Sequence, residues 1–431
     1  MNSNMKQSGL PWAELIPSNW EVERGKRVLT LMQREVRKDD EIITCFRDGE
    51  VILRRLRRED GFTISDKEIG YQGINVGDIV IHGMDGFAGA IGVSKSQGKG
   101  TPVYVVCTTK DNSNNSYVVY YLRTLAQNNV FLALATGIRE RSCDLKWNKI
   151  SVLPFILPPI SEQKAIADFL DKKCEEIDEL VALQEKIIEE LKSYKQSVIT
   201  ETVCKGLNPN APMKDSGVEW IGEIPEGWNL RYIKDVATFH NGDRGVNYPS
   251  GDDLVSDGIP FLTSNNLHQL LLDIEKYTCK YITLDRYNIL GGVKIQLDDI
   301  IYCLRGSIGN CTLNKQITEG TVASSLMVIR PRYISPEYLN YYLHSHIVSA
   351  QTEVYMNGTC AANLSAENVS KFNIHIPPAE EQQEIADYLD KKCSEIDQLI
   401  SIKQQKIVEL KEYKKSLIYE YTTGKKEVSH G

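Results

Sequence analysis

An α+β fold is predicted for this chain of 431 residues: two globular α/β modules separated by two long antiparallel coiled-coil helices, with internal pseudo-two-fold symmetry. Three observations predict it. First, PPISEQKAIADFLDKKCEEIDEL (158–180) returns as PPAEEQQEIADYLDKKCSEIDQL (377–399), an offset of 219 that holds through Lys192/Lys411, Tyr194/Tyr413, Ser197/Ser416 and Ile199/Ile418. A period this long means two copies of a large unit, not a solenoid. Second, each copy runs without Pro or Gly to Gly206 or Gly424, with apolar residues in sevens. Third, a β-rich stretch precedes each copy, and the two stretches share landmarks.

The helices come first. Pro158 and Pro159 stop a strand, Ser161 is the expected N-cap, and Glu162, Glu380 and Glu381 complement the helix dipole in the first turn. Gly206 and Gly424 are the expected stops. A helix from Ser161 to Cys204 would be about 65 Å long. In copy one, Leu170, Ile177, Gln184, Leu191 and Val198 form one row, and Lys173, Leu180, Ile187 and Tyr194 the other. Copy two offers Leu389, Ile396, Leu399, Leu410, Tyr413 and Leu417, interrupted by Lys392, Lys403 and Lys406. These rows predict a coiled-coil seam. The first helix must deliver the chain to the second module, so the second helix, if it pairs with the first, runs back antiparallel. One chain would then imitate a symmetric dimer.

The modules correspond more faintly. Trp12, Ile16, Pro17 and Trp20 match Trp220, Ile224, Pro225 and Trp228; GDIVI (77–81) matches DDIIY (298–302); YYL recurs at 120–122 and 341–343. Short runs such as TPVYVVCT and SSLMVIRP predict a mostly antiparallel or irregular sheet. The expected division is module one at 1–157, a central helix at 158–206, a linker and module two at 207–376, and a second helix and tail at 377–431. Shared frames with divergent middles suit two readers of different targets. An old duplication with drift is the competing explanation.

Composition is ordinary for a globular protein, at 42% hydrophobic and 25% charged. No apolar run reaches membrane-spanning length, and MNSNMKQSGL has no apolar signal core, so no secretory leader is expected. Ten scattered cysteines without a CxxC pair fit free thiols in a reducing cytoplasm, and no structural zinc is expected. The net charge of −8 divides unevenly: +3 over 1–157, −4 over 158–206, −5 over 207–376 and −2 over 377–431. Charge therefore neither requires nor excludes a nucleic-acid partner.

Catalytic patterns are weak. The PP pairs lie in LPPI and IPPA at helix starts, not in a base-holding loop of an adenine methyltransferase. GFAGAIG (86–92) suits a tight turn better than a cofactor loop. GVSKSQGKG (92–100) has one residue too many for a P-loop, and Gly100 stands where Ser or Thr must meet magnesium. Glu412-Tyr413-Lys414 sits on a helix, and His344-Ser345-His346 lacks further metal ligands nearby. Neither a catalytic nor a metal site is expected.

Candidate DNA contacts are polar. Arg54, Arg55, Arg57 and Arg58 form the densest basic run, able to neutralise phosphates or present a fork to guanine. A solvated edge or protein-binding patch competes with that reading. Lys95, Lys99, Arg139 and Arg141 extend the set in module one. Module two offers Ser264, Asn265 and Asn266, then Arg305, Asn310 and Lys315, against a competing role as ordinary loop polarity. On residues alone the chain is a symmetric two-module scaffold, with DNA reading, an unrecognised enzyme and pure protein scaffolding all open.

The repeat, the central SVITETVCKG, the module opening KDSGVEWIGEIPEGW (214–228), the terminal KKSLIYEYTTGK (414–425) and the stretch 61–94 together resemble the specificity (S) subunits of Type I restriction–modification systems. The resemblance covers nearly the whole chain. It implies that each module is a target recognition domain for one half of a bipartite double-stranded DNA site. It implies that the helices set the spacer and dock two modification (M) subunits, adenine methyltransferases, with two restriction (R) subunits joining them. S-adenosylmethionine, ATP and magnesium are then expected only on those partners. The S subunit itself is expected to be non-catalytic and cytoplasmic.

Overall fold

The computed structural model describes residues 4–57, 69–111, 113–133, 145–276, 278–356 and 364–428. The chain forms two compact units: Met1–Glu185 with Gln405–Gly431, and Lys186–Gln404. The two long helices, Ile160–Lys205 and Ala379–Thr422, each contribute to both units. The first starts at Ile160, one residue before the expected cap Ser161. Gly206 and Gly424 end the helices at φ of +71° and +73°. A side chain there is strained, and it would also strike the module: Cβ at Gly424 would meet Pro17, and at Gly206 it would meet Trp228 and Glu381.

In the first unit a four-stranded antiparallel sheet has the order Leu29–Leu31, Tyr104–Thr109, Ile79–His82, Ile91–Val93. The second repeats that order with Ala237–Asn241, Leu326–Pro331, Ile300–Cys303 and Cys311–Leu313. A helix follows each sheet, Asn115–Gln127 and Pro336–Leu343, capped by Asn114 and Ser335. The units diverge in their further strands. The first pairs Ile43–Cys45 with Val51–Leu53 and Gln72–Ile74 with Gly98–Gly100. The second builds another four-stranded sheet, in which Ile259–Leu262 runs parallel to Thr321–Val322.

Matched side chains lock each sheet to its helices. Tyr117 donates to Ile156 O at 2.9 Å with Thr422 O at 3.4 Å; Tyr338 donates to His375 O at 2.9 Å with Val203 O at 3.2 Å. Gln163 accepts from Asn114 N and donates to Pro158 O, as Gln382 accepts from Ser335 N and donates to Pro377 O. Tyr120 donates to Asp171 and Tyr341 to Asp390, at 2.8 and 2.6 Å. Trp20 and Trp228 are each 1% exposed. Sequences that differ at most positions thus keep the groups that satisfy buried polar atoms, which are costly to leave unmet.

Within each unit the paired helix segments run antiparallel. In the first, Phe169 packs on Tyr421 with ring centroids 4.6 Å apart, Asp178 meets Lys414 at 2.6 Å, and Glu185 meets Lys411 at 3.8 Å. In the second, Lys195 meets Asp397 at 2.7 Å, nearer the middle of the helices than the Gly206–Glu381 approach. Asp178–Lys414 and Asp397–Lys195 are the same pair, one in each copy.

One row of the expected seam is corrected. Leu170, Ile177, Leu389, Ile396 and Leu417 are buried, and Ile187, Leu191, Val198 and Leu410 are partly covered. Leu180, Tyr194, Leu399 and Tyr413 instead stand 46–57% exposed. The inward row lies one residue later: Cys174, Val181, Ile188 and Lys195 in copy one, and Cys393, Ile400, Ile407 and Lys414 in copy two. One residue is about 100° around a helix, enough to turn a side chain from the partner to solvent. Lys392 and Lys406 are therefore no interruptions, whereas Lys195 and Lys414 enter the inward row and end on carboxylates.

Candidate DNA interface

The arginine run follows a hairpin. Strand Val51–Leu53 leads into a single turn, Arg54–Leu56. Arg54 Nε donates to Thr44 Oγ1 at 3.1 Å. Arg55 pairs with Glu41 at 2.7 Å. Arg57 donates to Asp48 and Glu50, at 3.0 and 3.1 Å, and lies 4.2 Å from the centroid of the Phe46 ring. Burial pushes the Asp48 carboxyl up, but the Arg57 hydrogen bond and the Glu50 amide outweigh it, so Asp48 stays ionised below its usual range. Exposed Lys95 stands 3.9 Å from Glu50, and Lys99 lies on strand Gly98–Gly100. The hairpin gathers Arg55, Arg57 and Lys95, each beside a carboxylate. Arg58, Arg139 and Arg141 lie outside the described residues.

GFAGAIG is a turn: Gly86–Ala88 form one 3₁₀ turn, and Gly89 closes it at φ of +97°. Beneath the hairpin the first unit has a cleft of about 1180 Å³ lined by Asp48, Arg57, Lys95, Tyr120, Arg123 and Asp171, among others. Arg123, passed over by sequence reasoning, turns a buried Nε toward no hydrogen-bond partner among the described residues.

In the second unit Ser264–Asn266 form one 3₁₀ turn. Asn265 is exposed, but Asn266 is 2% exposed, and its Oδ1 accepts from Thr263 N at 2.9 Å. Asn266 therefore holds the turn and does not face solvent, which corrects its place among outward candidates. Arg305 donates to Ser324 O, while Asn310 is exposed after the turn at Gly309. Lys315 lies 2.5 Å from both Asp298 and Glu337; burial lowers its pKa, but the two carboxylates hold it above the ordinary value. The turn at 264–266 is tied to Thr263, whereas Arg305 is tied to Ser324 and Lys315 to Asp298 and Glu337. Sequence reasoning also passed over NGDRGVNYPS (241–250), whose Asp-x-Gly is a turn signal. Among the described residues no three His, Cys, Asp or Glu side chains gather as metal ligands, and no helix is long and apolar enough to cross a membrane.

The geometry has counterparts in known proteins. The family model for the Type I restriction modification DNA specificity domain matches residues 225–412. The putative type I restriction enzyme MjaX specificity subunit of Methanocaldococcus jannaschii is 25% identical, over 95% of this chain and 94% of that one. The EcoBI specificity subunit of Escherichia coli is 25% identical over 53% of this chain and 49% of its own length. Among solved structures, one titled for complex assembly and conformational transition of the type I R-M system has a TM-score of 0.72 at 15% identity, covering 94% of this chain and 98% of that one. The HsdS subunit of Thermoanaerobacter tengcongensis has a TM-score of 0.52 at 16% identity, over 95% and 98%. The named relatives are specificity subunits, and the fold agrees with the two solved structures across nearly the full length. Over residues 225–412 the chain matches the Type I restriction modification DNA specificity domain, and over nearly its full length it is similar in sequence to a putative specificity subunit and in fold to an HsdS subunit.

Proposed function

We propose that each unit's sheet-bearing head reads one half of a bipartite duplex target, and that the two long helices fix the spacer and dock two M subunits. The matched hydrogen-bond networks carry this reading. Tyr117 and Tyr338, Gln163 and Gln382, and Asp178–Lys414 and Asp397–Lys195 give each head the same internal frame, while the outer strands differ. Equal frames place two readers alike; unequal outer strands let them read different sequences. A pseudo-symmetric protein suits two half-sites on one duplex.

The docking role draws on the exposed rows. Leu180, Leu183 and Tyr194, and at the matching positions Leu399, Ile402 and Tyr413, are each at least 46% exposed. Apolar residues repeated on the outer face of a helix suit a protein partner better than a phosphate backbone. Methylation of adenine, with S-adenosylmethionine, belongs to the M subunits in this reading. ATP-driven cleavage with magnesium belongs to two R subunits. The −5 charge of residues 207–376 and the carboxylates beside Arg55, Arg57 and Lys315 imply weak DNA binding by the isolated chain.

Methylated-base mapping in a host with and without this chain, supplied with its M subunit, tests the reading. A two-part adenine-methylated motif with a fixed gap, present only with the chain, is expected. A continuous motif, or one independent of the chain, contradicts it. In gel-shift titrations the S–M assembly should bind this motif tightly and the isolated chain poorly; tight specific binding by the isolated chain opposes the division of labour.

A further inference from the structure

Loop 242–250 of the second unit is held from several sides, and it leaves two side chains outward. Asp243 Oδ1 accepts from Gly245 N at 2.6 Å and its Oδ2 from Gly291 N at 2.8 Å. These amides, with that of Arg244, hold the carboxyl below its usual pKa. Gly292 lies so close that a Cβ there would stand 2.4 Å from Asp243 N, so only glycine fits beneath the loop. Further on, Tyr248 N donates to Gly245 O at 3.1 Å, and Asn247 Nδ2 to Ile289 O at 3.2 Å. Arg286 Nη1 donates to Asn247 O at 3.3 Å, and the Tyr248 ring meets Phe261 edge-on at 5.7 Å.

Between these ties stand Arg244 and Val246. Val246 is 100% exposed and Arg244 is also exposed. The guanidinium of Arg244 has no hydrogen-bond or ion-pair partner among the described residues. Two acids of this region are already engaged: Asp243 on two amides, and Asp253 on Ser250 N at 3.1 Å and Arg286 at 2.9 Å. Elsewhere in this head Lys315, Arg305, Arg330 and Lys371 have partners. A chain spends ordering entropy to hold such a loop. Leaving a bare arginine and a bare valine at its tip gains nothing for the fold.

We infer that this loop is the base-reading finger of the second unit, with Arg244 directed to acceptors on a base edge and Val246 to an apolar feature such as a thymine methyl. The inference rests on the two-reader function proposed above. Arginine supplies a planar fork matched to guanine O6 and N7, and methyl contacts are the apolar part of major-groove readout. Asp243 is a positioning residue: it touches no DNA and sets where its neighbours point.

The test uses the full chain assembled with its M subunit, with methylated-base mapping and competition binding on the motif so found. R244A and V246A change solvent-exposed groups, so folding is not at stake. Each should weaken binding to the intact motif by about tenfold or more for a lost base contact and relax the sequence at one or two positions of a single half-site. D243A should weaken binding too, with D243N, which keeps one acceptor oxygen, recovering part of it. Unchanged binding and an unchanged motif in R244A and V246A overturn the inference while the bipartite reading stands. So does a loss spread equally over both half-sites. A wild-type motif without two halves overturns both.

Discussion

Ile396 and Leu399 lie three residues apart on one helix, and truncation of each to alanine removes three carbons. They differ in surroundings: Ile396 is 4% exposed and Leu399 47%. At about 0.8 kcal/mol per buried methylene, Ile396→Ala forfeits about 2.4 kcal/mol of transfer free energy. The cavity left at this covered position brings the expected cost to about 2–5 kcal/mol. Leu399→Ala leaves no cavity and should fall within about 0.5 kcal/mol of wild type. Urea unfolding followed by circular dichroism, with slopes compared as a check on the unfolded state, measures both. Equal losses, or a greater loss at Leu399, would return the seam to the row containing Leu399 and refute the inward row through Cys393 and Ile400. With the M subunit present the order should reverse: Leu399→Ala should impair assembly more than Ile396→Ala does at matched stability.

Three further outcomes follow from the packing. Asp299 is fully buried and grips Arg330 through both oxygens, at 2.7 and 2.8 Å, and Asp78 holds Arg34 in the first unit. Asp299→Asn and Asp78→Asn should each cost about 3 kcal/mol, the lower end for breaking a buried pair because the arginines keep some solvent; a cost below about 1 kcal/mol in thermal or urea unfolding would deny the pair its role. His375 is buried against Trp228 and Tyr342, and burial lowers its pKa from 6.5 to about 4 although Val203 O supports the proton. The unfolded chain therefore takes up the proton first as pH falls, so stability is retained above pH 6.5 and about 3 kcal/mol is lost between pH 6.5 and 4. His375→Ile, which installs the residue of the matching position Ile156, should flatten that slope in urea titrations across pH, and an unaltered slope would refute the assignment. A one-turn insertion of four residues after Gln184 should change the gap tolerated between half-sites or abolish modification, and an unchanged gap on methylated-base mapping would end the ruler role.

The repeat was legible because both copies keep the groups that mate helix to sheet. Gln163, Asp171, Cys174 and Asp178 recur as Gln382, Asp390, Cys393 and Asp397, and each has the same structural job in its unit. The seam was legible only in half. In copy one the rows through Lys173 and through Cys174 hold equal numbers of apolar residues, so periodicity could not choose between them. Contacts far apart in sequence choose, through Tyr120 on Asp171 and Lys414 on Asp178. The charged candidates show a second limit. Arg55 and Arg57 read as a bare basic run, but Glu41, Asp48 and Glu50 come beside them from the neighbouring strand and turn. Lys315 looked free until Asp298 and Glu337 were brought to it. Arg244 drew no notice as a lone basic residue beside Asp243 between two glycines; exposure together with the fixed turn brings it forward.

The most direct measurement exchanges the head of the second unit. Residues 207–376 are replaced by the corresponding segment of a specificity subunit with a different target, the chimera is assembled with the M subunit, and the methylated motif is mapped. The account predicts a motif in which one half changes to the donor's while the other half and the gap stay as they were. A modified chimera whose motif is wholly unchanged, or altered in both halves, would contradict it.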